Sequence, residues 1–343
     1  MAAPAWLERA WWSPERSAWS TLAWPLEQLY RALAALKAAM TSRGRVPVPV
    51  IVVGNLVVGG AGKTPTVIAI VQALQRAGRR PGVISRGYGS GATAPRPVHA
   101  GSRAEDCGDE PLLIRHRTGV PVWVGTRRVA VAQALCAARA EVDVIVSDDG
   151  RQHAALPRTA EVLVFDARGV GNGRLLPAGP LREPLPARLP ANVRALYNAP
   201  APSTPLPGDL AVRALPAAWP LHAWSRGDAS ATRPLAAWRG TPLHAAAGIA
   251  EPERFFGMLR AQGLTFTAWP LPDHHDYATR PWPDAPLDVL ITEKDAVKLA
   301  ARAGTAARLW VVPLDFVLPA SLEHWLIGMF SDSPTALHSD TPP

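Results

Sequence analysis

The sequence has few cysteines and no long hydrophobic run near its start, and each of these two shortages excludes a class of protein. Its two cysteines, Cys107 and Cys136, form neither a CxxC pair nor a zinc-binding spacing. A disulfide scaffold is therefore excluded, and a reducing compartment is expected. In residues 1–45 the longest uncharged stretch, between Arg16 and Glu27, has ten residues, whereas a membrane-spanning helix needs about 20. No charged start leads into an apolar region and a cleavage site, so a signal peptide is not expected.

The composition is that of a folded chain with an excess of positive charge. Its 343 residues are enough for two domains of ordinary size, and 48% of them are hydrophobic. The 36 Lys and Arg residues outnumber the 28 Asp and Glu residues, which gives a net charge of +8. This excess favours an anionic partner, such as a nucleotide, a nucleic acid or an acidic membrane. Only four basic residues are lysines, so their positions are informative: Lys37, Lys63, Lys294 and Lys298.

Residues 1–45 form an unusual segment, because five of the 13 tryptophans lie within the first 24 residues. Apolar side chains recur there at spacings of three and four, which predicts a stripe along a helix that Pro25 kinks or restarts. The stripe consists of Trp19, Leu22, Leu26, Leu29, Leu33, Leu36 and Met40. With a net charge of +3, the segment fits an amphipathic helix on an acidic membrane surface. A helix packed on a domain core is the alternative.

After this segment, apolar strands alternate with helices. Hydrophobic runs predict strands at 46–53, 82–85, 120–124, 142–147 and 162–165, and helical patterns cover 64–76 and 127–139. Such alternation predicts a parallel sheet with helices on both faces. Residues 46–198 are therefore expected to form an α/β/α domain of the phosphate-loop NTPase type. Two long loops, 86–108 and 168–190, are expected to be functional or disordered.

The Pro-rich stretch 199–208 predicts a domain boundary. Beyond it, strand and helix patterns alternate again up to a last helix at 320–329. Residues 199–330 are therefore expected to form a second, smaller α/β domain. The polar tail 331–343 is expected to be disordered.

The strongest chemical signal is the glycine-rich run Gly59–Thr64, which follows a strand and directly precedes a helix. Glycines let backbone N–H groups turn towards phosphate oxygens, and the helix N-terminus adds a favourable dipole. Lys63 is expected to reach the β- and γ-phosphates, and the Thr64 hydroxyl to bind Mg²⁺. A glycine-rich turn with a surface lysine is the alternative. The predicted nucleotide-binding residues are Val57, Val58, Gly59, Gly60, Ala61, Gly62, Lys63 and Thr64.

A second signal is the hydrophobic strand that ends in Asp148 and Asp149. In phosphate-loop enzymes an acidic residue at such a strand end holds Mg²⁺, directly or through water. A simple strand-end turn is the alternative, because Asp-Gly is common in turns. The upstream phosphate loop favours the metal interpretation, with Thr64, Asp148 and Asp149 as candidate ligands.

Two further motifs lie far apart in the sequence. Asp109 stands at a loop-to-helix junction, where it is either the N-cap of helix 110–117 or a general base facing the nucleotide. His274 and His275 are flanked by aspartates, which suggests proton transfer or metal binding, with a polar loop as the alternative. No other His or Cys cluster completes a zinc site, so proton transfer is the better functional interpretation.

The run Thr292–Lys298 holds two of the four lysines at a strand end and helix start. A guanine-reading motif needs a residue between its Lys and its Asp, but Lys294 and Asp295 are adjacent, so recognition of GTP is not supported.

Taken together, these motifs resemble those of the tetraacyldisaccharide 4′-kinase family, the lipid A 4′-kinases. The resemblance keeps the family's order and spans nearly the whole chain beyond the N-terminal segment. The matching stretches are GNLVVGGAGKTP (54–65), SRGYG (85–89), GDEP (108–111), RVAVA (128–132), SDDGRQH (147–153), GNGRLLPAGPLREP (171–184), DHHDY (273–277) and TEKDAVK (292–298). The family lacks the first glycine of the phosphate loop, which accounts for Val57. Arg151 departs from the bulky or aromatic residue that is usual at its position.

The resemblance implies ATP-dependent, Mg²⁺-assisted phosphorylation of the 4′-hydroxyl of a tetraacylated glucosamine disaccharide 1-phosphate, which gives the lipid A precursor. It also implies two α/β/α units joined by a short β-ribbon, with the site in the cleft between them. Asp109 would accept the proton of the 4′-hydroxyl, and His274 from the second domain would assist it. Further contacts to nucleotide, metal or substrate phosphate are assigned to Arg86, Arg128, Gln152, Arg182 and Glu183.

The family's lipid substrate favours the membrane interpretation of residues 1–45, as a peripheral or monotopic attachment to the cytoplasmic face of the inner membrane. The alternative from another class is a membrane-associated P-loop NTPase switch or targeting factor without a lipid substrate. Such a factor would need neither the histidine motif of the second domain nor the stretch 171–184. A nucleic-acid partner is not expected, because the arginines are dispersed and the aromatic residues concentrate at the N-terminus.

Overall fold

The structure is a computed structural model that describes residues 4–13, 17–91, 93–279, 281–283, 287–300 and 308–330. The tail 331–343, expected to be disordered, lies outside the described residues.

Three helices precede the first strand, and local side chains explain where they begin. They are α1 (Ala5–Trp12), α2 (Ala18–Leu22) and α3 (Trp24–Met40). α2 begins where the Ser17 side chain accepts a hydrogen bond from the Ser20 amide. Pro25 lies in the first turn of α3, where a missing N–H costs no helical hydrogen bond. The predicted restart of the helix at Pro25 is therefore confirmed.

The first domain is built around one eight-stranded sheet. Its strands are β1 (Val50–Gly54), β2 (Pro81–Ser85), β3 (Arg96–Val98), β4 (Val122–Val124), β5 (Val144–Asp148), β6 (Ala160–Asp166), β7 (Val193–Asn198) and β8 (Gly208–Leu210). Its helices are α4 (Lys63–Arg76), α5 (Ala104–Cys107), α6 (Asp109–Thr118) and α7 (Arg128–Ala138). The strand order is β3-β4-β2-β5-β1-β6-β7-β8, and every neighbouring pair except β3–β4 is parallel.

The central strands are continuous apolar runs because helices cover both faces of the sheet. Every residue of β1, β2, β5 and β6 is buried. Pro47 and Pro49 have no N–H for the ladder, so pairing begins at Val50, as predicted. Val53 of β1 lies beside Asp148 of β5. The loop after β1 and the two aspartates after β5 therefore meet at the same edge of the sheet.

The second domain has a six-stranded sheet of its own. The remaining strands are β9 (Val212–Ala214), β10 (Ala217–Pro220), β11 (Arg233–Pro234), β12 (Leu243–Ala247), β13 (Thr267–Pro270), β14 (Asp288–Thr292), β15 (Leu309–Val312) and β16 (Asp315–Val317). The remaining helices are α8 (Leu221–Ser225), α9 (Pro252–Ala261), α10 (Glu293–Leu299) and α11 (Ala320–Gly328). The order is β11-β10-β15-β14-β12-β13, with β15, β14, β12 and β13 parallel.

A two-stranded antiparallel ribbon of β9 and β16 connects the domains. β9 leads from the first sheet to the second, and β16 leads back to α11. That helix lies against α4 of the first domain, where Arg76 and Glu323 form an ion pair of 2.9 Å. The predicted architecture of two α/β units joined by a short ribbon is confirmed.

Some short elements depart from the sequence prediction. The loop predicted for 86–108 contains β3 and α5, which are too short to show a period in the sequence. β7 was not predicted, because Arg194 and Asn198 interrupt its apolar pattern. Residues 208–210 fall in the range predicted for the second domain but extend the first sheet as β8. The predicted boundaries place β8 and α11 in the second domain, whereas β8 belongs to the first sheet and α11 lies against α4 of the first domain.

Candidate active site

The glycine-rich run lies between β1 and α4, as its sequence predicts. Gly59 and Gly62 both have a φ of 89°, a conformation that side chains other than glycine rarely adopt. A Cβ at Gly62 would collide with the Asn198 side chain, whereas nothing lies within 4 Å of a Cβ built on Gly59 or Gly60. The loop is therefore closed on the Asn198 side and open where a phosphate group would lie.

Val57 and Val58, the first two residues of the predicted nucleotide loop, contact a neighbouring loop. The Val58 amide donates a hydrogen bond of 2.9 Å to the Pro180 carbonyl, and Val57 pairs with Leu181. Both residues are thereby joined to the loop of residues 168–190, which we call the Arg182 loop. The part of the predicted run that faces open space begins at Gly59.

Lys63 is the first residue of α4, and its ammonium group lies in a polar environment. It is 3.3 Å from the Asn55 side-chain oxygen and 3.6 Å from Asp149 Oδ1. Thr64, the next residue, is buried. Lys63 and Thr64 both line a cavity between the two domains. The helix start thus presents a cation and a hydroxyl group together, as phosphate loops require.

Asp148 and Asp149 lie at the end of β5, in different electrostatic environments. Burial raises the pKa of Asp148 well above its usual range, and Glu110 and Asp149 raise it further. Burial alone would raise the pKa of Asp149 too, but the cations of Lys63 and Arg182 lower it below its usual range. Asp149 also adopts a positive φ of 48°, a strained conformation that is enriched at functional sites.

The oxygen atoms at the end of β5 fit a magnesium ion. Asp148 Oδ1 is buried without a hydrogen-bond partner, which leaves an acceptor for a cation. Magnesium prefers oxygen ligands and usually binds through one or two carboxylates plus phosphate oxygens and water. Among the described residues, no three His, Cys, Asp or Glu side chains converge on a metal position.

Arg128 begins α7 and is buried next to these aspartates. Its Nη1 donates to the Gly125 carbonyl at 2.6 Å, but Nε and Nη2 have no partner. Burial lowers the pKa of Arg128 to about 10, against the opposing effect of Asp148 and Asp149. A buried guanidinium with free donors is costly unless an anion completes it. Arg86, also predicted at the site, is exposed.

Asp109 and His274 are 165 positions apart in the sequence, yet they are in contact. His274 Nδ1 lies 3.0 Å from Asp109 Oδ2 and 3.1 Å from Oδ1. Asp109 is 4% exposed and belongs to the first domain, whereas His274 belongs to the second. The helix begins at Asp109 itself and Gly108 is its cap, so the predicted N-cap alternative is not what α6 shows. The roles of both residues in proton transfer stay predictions.

The contact changes the acidity of both groups. Burial would raise the pKa of Asp109, but the His274 hydrogen bond and the Lys294 cation lower it to about 2. The same hydrogen bond raises the pKa of His274 above its usual value, although burial opposes the change. His274 has a positive φ of 59°, so its backbone is held in an uncommon conformation.

Lys294 is a site residue to which the sequence assigned no role. It is the second residue of α10 in the second domain, and its ammonium group lies 3.0 Å from Glu110 and 3.9 Å from Asp109. Burial would lower the pKa of Lys294, but the three nearby carboxylates raise it well above its usual range. The scarcity of lysine was the available signal, because two of the four lysines occupy this one motif.

The loop that carries His274 is supported by the same α10 motif. Asp295 is fully buried and accepts hydrogen bonds from the Gly248 amide and the Thr292 hydroxyl. A Cβ at Gly248 would lie 2.8 Å from Asp295 and 3.2 Å from His275. These contacts seat the 273–277 loop against β12 and α10, which explains why the motif stands next to the histidine loop in space.

The Arg182 loop brings two more predicted residues to the aspartates. Arg182 lies 3.6 Å from Asp149 and donates to the Gln152 side chain at 3.1 Å. Gln152 in turn donates to Glu183 at 3.2 Å. Arg151, the departure from the family's pattern, pairs with Glu161 and Glu183. Gln152, Arg182 and Glu183 are thus brought together beside Asp149.

A cavity between the two domains extends from the phosphate loop. The first domain contributes Lys63, Thr64 and Ile68 to its wall, and the second contributes Leu215, Phe255 and Met258. Apolar side chains of both domains therefore line one part of the cavity, and the phosphate loop forms its polar end. Sequence reasoning did not find the apolar wall, because its residues look like ordinary core residues.

The parallel sheet, the glycine loop at the start of α4 and the aspartates at the end of β5 define a P-loop nucleotide-binding protein. The family model for tetraacyldisaccharide-1-P 4′-kinase matches residues 19–331. The tetraacyldisaccharide 4′-kinase of Leptothrix cholodnii is 53% identical over 94% of each chain. That of Methylibium petroleiphilum is 51% identical over 91% of this chain and 89% of its own. The chain belongs to the tetraacyldisaccharide 4′-kinase family, and it is a kinase.

A solved structure shows the same fold. LpxK from Aquifex aeolicus, crystallised in complex with ATP, has a TM-score of 0.73 and 24% sequence identity. The similarity covers 91% of this chain and 99% of that one.

Proposed function

We propose that this kinase transfers the γ-phosphate of ATP to the 4′-hydroxyl of a tetraacylated glucosamine disaccharide 1-phosphate. The observation that carries the proposal is the contact of 3.0 Å between Asp109 and His274, across the cleft that the phosphate loop opens into. A nucleotide switch needs no acid–base pair for an alcohol, whereas a kinase does. Membership of the family supports this substrate.

The nucleotide occupies the cavity between the domains. Its phosphates lie against Gly59, Gly60 and Lys63, where the loop has open space, and its base lies against the apolar wall of Leu215 and Met258. The related Aquifex aeolicus protein was crystallised in complex with ATP, which supports ATP as the nucleotide. Backbone amides and one lysine then neutralise the charge of the transferred group.

Magnesium completes the charge neutralisation when ATP is bound. Thr64, Asp148 and Asp149 would hold it. Asp149 is already paired with Lys63 at 3.6 Å, so the carboxylate also fixes the lysine that reaches the phosphates. The unpartnered oxygen of Asp148 is the remaining acceptor.

Asp109 and His274 take the proton of the substrate. The 4′-hydroxyl oxygen forms a bond to the γ-phosphorus, the bond from that phosphorus to the bridging β,γ-oxygen breaks, and ADP leaves. The hydroxyl proton passes to the Asp109 carboxylate. With a pKa of about 2, that carboxylate is a weak base alone, so His274 shares the proton through the contact with Nδ1. Contact between two domains also means that closure excludes water from the reaction.

Cationic groups beside the cleft can hold an anionic substrate. The free N–H groups of Arg128 point to an anion as their missing partner, and Arg182, Gln152 and Glu183 line up beside Asp149. We assign these residues and the exposed Arg86 to contacts with the nucleotide, the metal or the substrate phosphate. Guanidinium groups bind phosphate through paired donors.

The N-terminal helices attach the enzyme to a membrane surface. Residues 31–40 are all exposed, and the predicted stripe faces outwards from Leu22, at 75% exposure, to Met40, at 77%. Trp19, the first residue of the predicted stripe, is the exception, because its indole N–H donates to the Pro177 carbonyl. Each large side chain would gain about 2 kcal/mol on burial in lipid, and nearby Lys37 suits acidic headgroups. Within the described residues, no helix combines the length and apolar character needed to cross a bilayer. From the exposed apolar face and the nearby lysine, we propose peripheral or monotopic attachment at the cytoplasmic face of the inner membrane, where ATP is available.

Transfer of label from γ-labelled ATP into lipid tests this function. The purified full chain is incubated with Mg²⁺, labelled ATP and the acylated disaccharide 1-phosphate dispersed in detergent, and the lipid is then extracted. We expect label in the extracted lipid, with about 10²- to 10⁴-fold less from Asp109→Ala as the matched control. Label found only in inorganic phosphate would favour the NTPase switch instead.

A further inference from the structure

The Arg182 loop carries site residues, although its residues 168–190 form no helix and no named strand. A loop of this length needs outside contacts to hold one conformation. In this protein many of those contacts come from the N-terminal helices α1, α2 and α3. The segment that presents an apolar face to solvent therefore has a second, inward face.

Two tryptophans of this inward face bind one carbonyl group of the loop. The indole N–H groups of Trp11 and Trp19 both donate to the Pro177 carbonyl at 3.0 Å. Asn172 is fixed to α1 as well, because its amide donates to the Trp11 carbonyl at 2.9 Å. Gly171 packs so closely on that carbonyl that a side chain would collide with it.

A buried carboxylate in α3 holds the middle of the loop. Glu27 is 2% exposed and accepts hydrogen bonds from the Leu175 amide and the Arg174 guanidinium, each at 3.2 Å. Burying a charge is costly unless it is paired and hydrogen-bonded. A helix that served only as a lipid anchor would have no reason to carry this group.

Tyr30 brings the contacts to the active site. Its hydroxyl donates to the carbonyl of Arg182 at 3.0 Å. The Arg182 amide in turn donates to the Leu56 carbonyl at 2.7 Å, just before the glycine run. The Arg182 guanidinium lies 3.6 Å from Asp149, which pairs with Lys63. Arg182 is thus the one residue that connects the Tyr30 hydroxyl to Asp149 in the active site.

We propose that the N-terminal helices position the Arg182 loop for catalysis, with Tyr30 as the positioning residue that fixes Arg182. The outward face of the same helices carries the aliphatic stripe, so one segment supports both the membrane surface and the active site. This inference rests on the proposed function, because Arg182 matters only if the site at Asp149 binds nucleotide, metal or substrate.

A double-mutant cycle on the full chain tests the inference. Turnover is measured on detergent-dispersed substrate for wild type, Tyr30→Phe, Arg182→Ala and the double variant, with ATP affinity and co-sedimentation with acidic vesicles measured alongside. Losing one hydrogen bond predicts about a threefold to tenfold loss of turnover for Tyr30→Phe. The double variant is expected to be no worse than Arg182→Ala, because Tyr30 acts through Arg182. Vesicle binding of Tyr30→Phe should equal that of wild type.

Leu33→Gln is the matched control on the outward face of α3, where Leu33 is 57% exposed. Leu33→Gln should weaken vesicle binding. If it also lowers turnover, the double variant with Arg182→Ala should lose turnover by the product of the two single losses, because Leu33 does not act through Arg182. Trp19→Phe, which removes a different contact to the loop, should behave like Tyr30→Phe.

Two outcomes separate failure of the inference from failure of the proposed function. If Arg182→Ala is impaired while Tyr30→Phe keeps wild-type turnover, or if their effects multiply, the positioning role is overturned and the proposed function stands. If Arg182→Ala itself has wild-type turnover, the assignment of Arg182 under the proposed function fails, and the inference fails with it.

Discussion

The two ends of the active-site cleft are built in different ways. At the phosphate end, Gly59, Lys63 and Asp149 all come from the first domain, at adjacent ends of β1 and β5. At the proton-transfer end, Asp109 belongs to the first domain, but His274 and Lys294 belong to the second. The first end is therefore complete in one domain, whereas the second exists only while both domains are in contact.

The two ends share one electrostatic arrangement. Each places a lysine in the first turn of a helix and pairs it with carboxylates, Lys63 with Asp149 and Lys294 with Glu110 and Asp109. Lys63 lies beside open space at Gly59 and Gly60 for a phosphate, whereas Lys294 is surrounded by Asp109, Glu110 and Asp273. The same pair of groups thus serves ligand binding at one end and domain contact at the other.

The largest effect should come from the proton-transfer end. Asp109→Ala removes the acceptor of the hydroxyl proton, so turnover should fall by about 10²- to 10⁴-fold. ATP affinity should change little, because the phosphate end is intact. Steady-state kinetics and a nucleotide-binding titration check this, and turnover near that of wild type would remove Asp109 from the base role.

At the phosphate end we expect a smaller loss of turnover, and this loss is accompanied by weaker binding of ATP. Lys63→Met removes a charge that stabilises the transferred group, which predicts about a 10²- to 10³-fold loss of turnover. Here ATP affinity should fall as well. If Lys63→Met bound ATP as tightly as wild type, the contrast between the two ends would be lost. Lys37→Met, on the exposed part of α3, is the matched control for loss of one lysine.

Lys294→Met sharpens the comparison by testing domain contact. Without the cation, the pKa of Asp109 should rise from its low value, because Lys294 is one of the groups that lower it. The acidic limb of the pH–rate profile should therefore move to higher pH. Loss of the Lys294 contacts to the first domain should also lower the rate at neutral pH by about tenfold. Lys294→Arg keeps the charge and should leave the limb in place. An unshifted limb in Lys294→Met would show that the cation does not act on Asp109.

Sequence reasoning predicts the phosphate end better than the proton-transfer end, for a physical reason. Gly59–Thr64 and Asp148 are each recognisable from a few neighbouring residues, because a strand, a turn and a helix start are local structures. The contact of Asp109 with His274 crosses two domains, and the local pattern alone fits a helix cap at Asp109 and a polar loop at His274 equally well. Resemblance to the family suggested the pair, and the structure adds Lys294 to it.

The N-terminal segment shows a different limit of the sequence. Its apolar stripe was evident from the spacing, but the buried Glu27 and the contact of Tyr30 with Arg182 were not. Both partners lie in the Arg182 loop, about 150 residues further along the chain. Periodicity describes which side chains share a face, and it does not say what that face meets.

The smallest expected effect is a pH-dependent term in stability. The pKa of His274 is raised in the folded state above its usual value of 6.5. Its contact with Asp109 therefore adds stability below about pH 6.5, and this is lost as the pH rises through the raised pKa. The ring is partly exposed, so the term should be below about 1 kcal/mol. Urea unfolding at about pH 6 and about pH 8.5 should show this difference in wild type and not in His274→Gln.

The central claim is that the second domain supplies half of the proton-transfer pair, and a single-turnover measurement on His274→Ala tests it most directly. The full chain is saturated with labelled ATP before the lipid substrate is added, and label transfer to lipid is followed. We predict that the rate falls by about 10²-fold or more, while the ATP dissociation constant stays within about twofold of wild type. A wild-type rate of transfer, or a loss of ATP affinity equal to the loss of rate, would contradict the account.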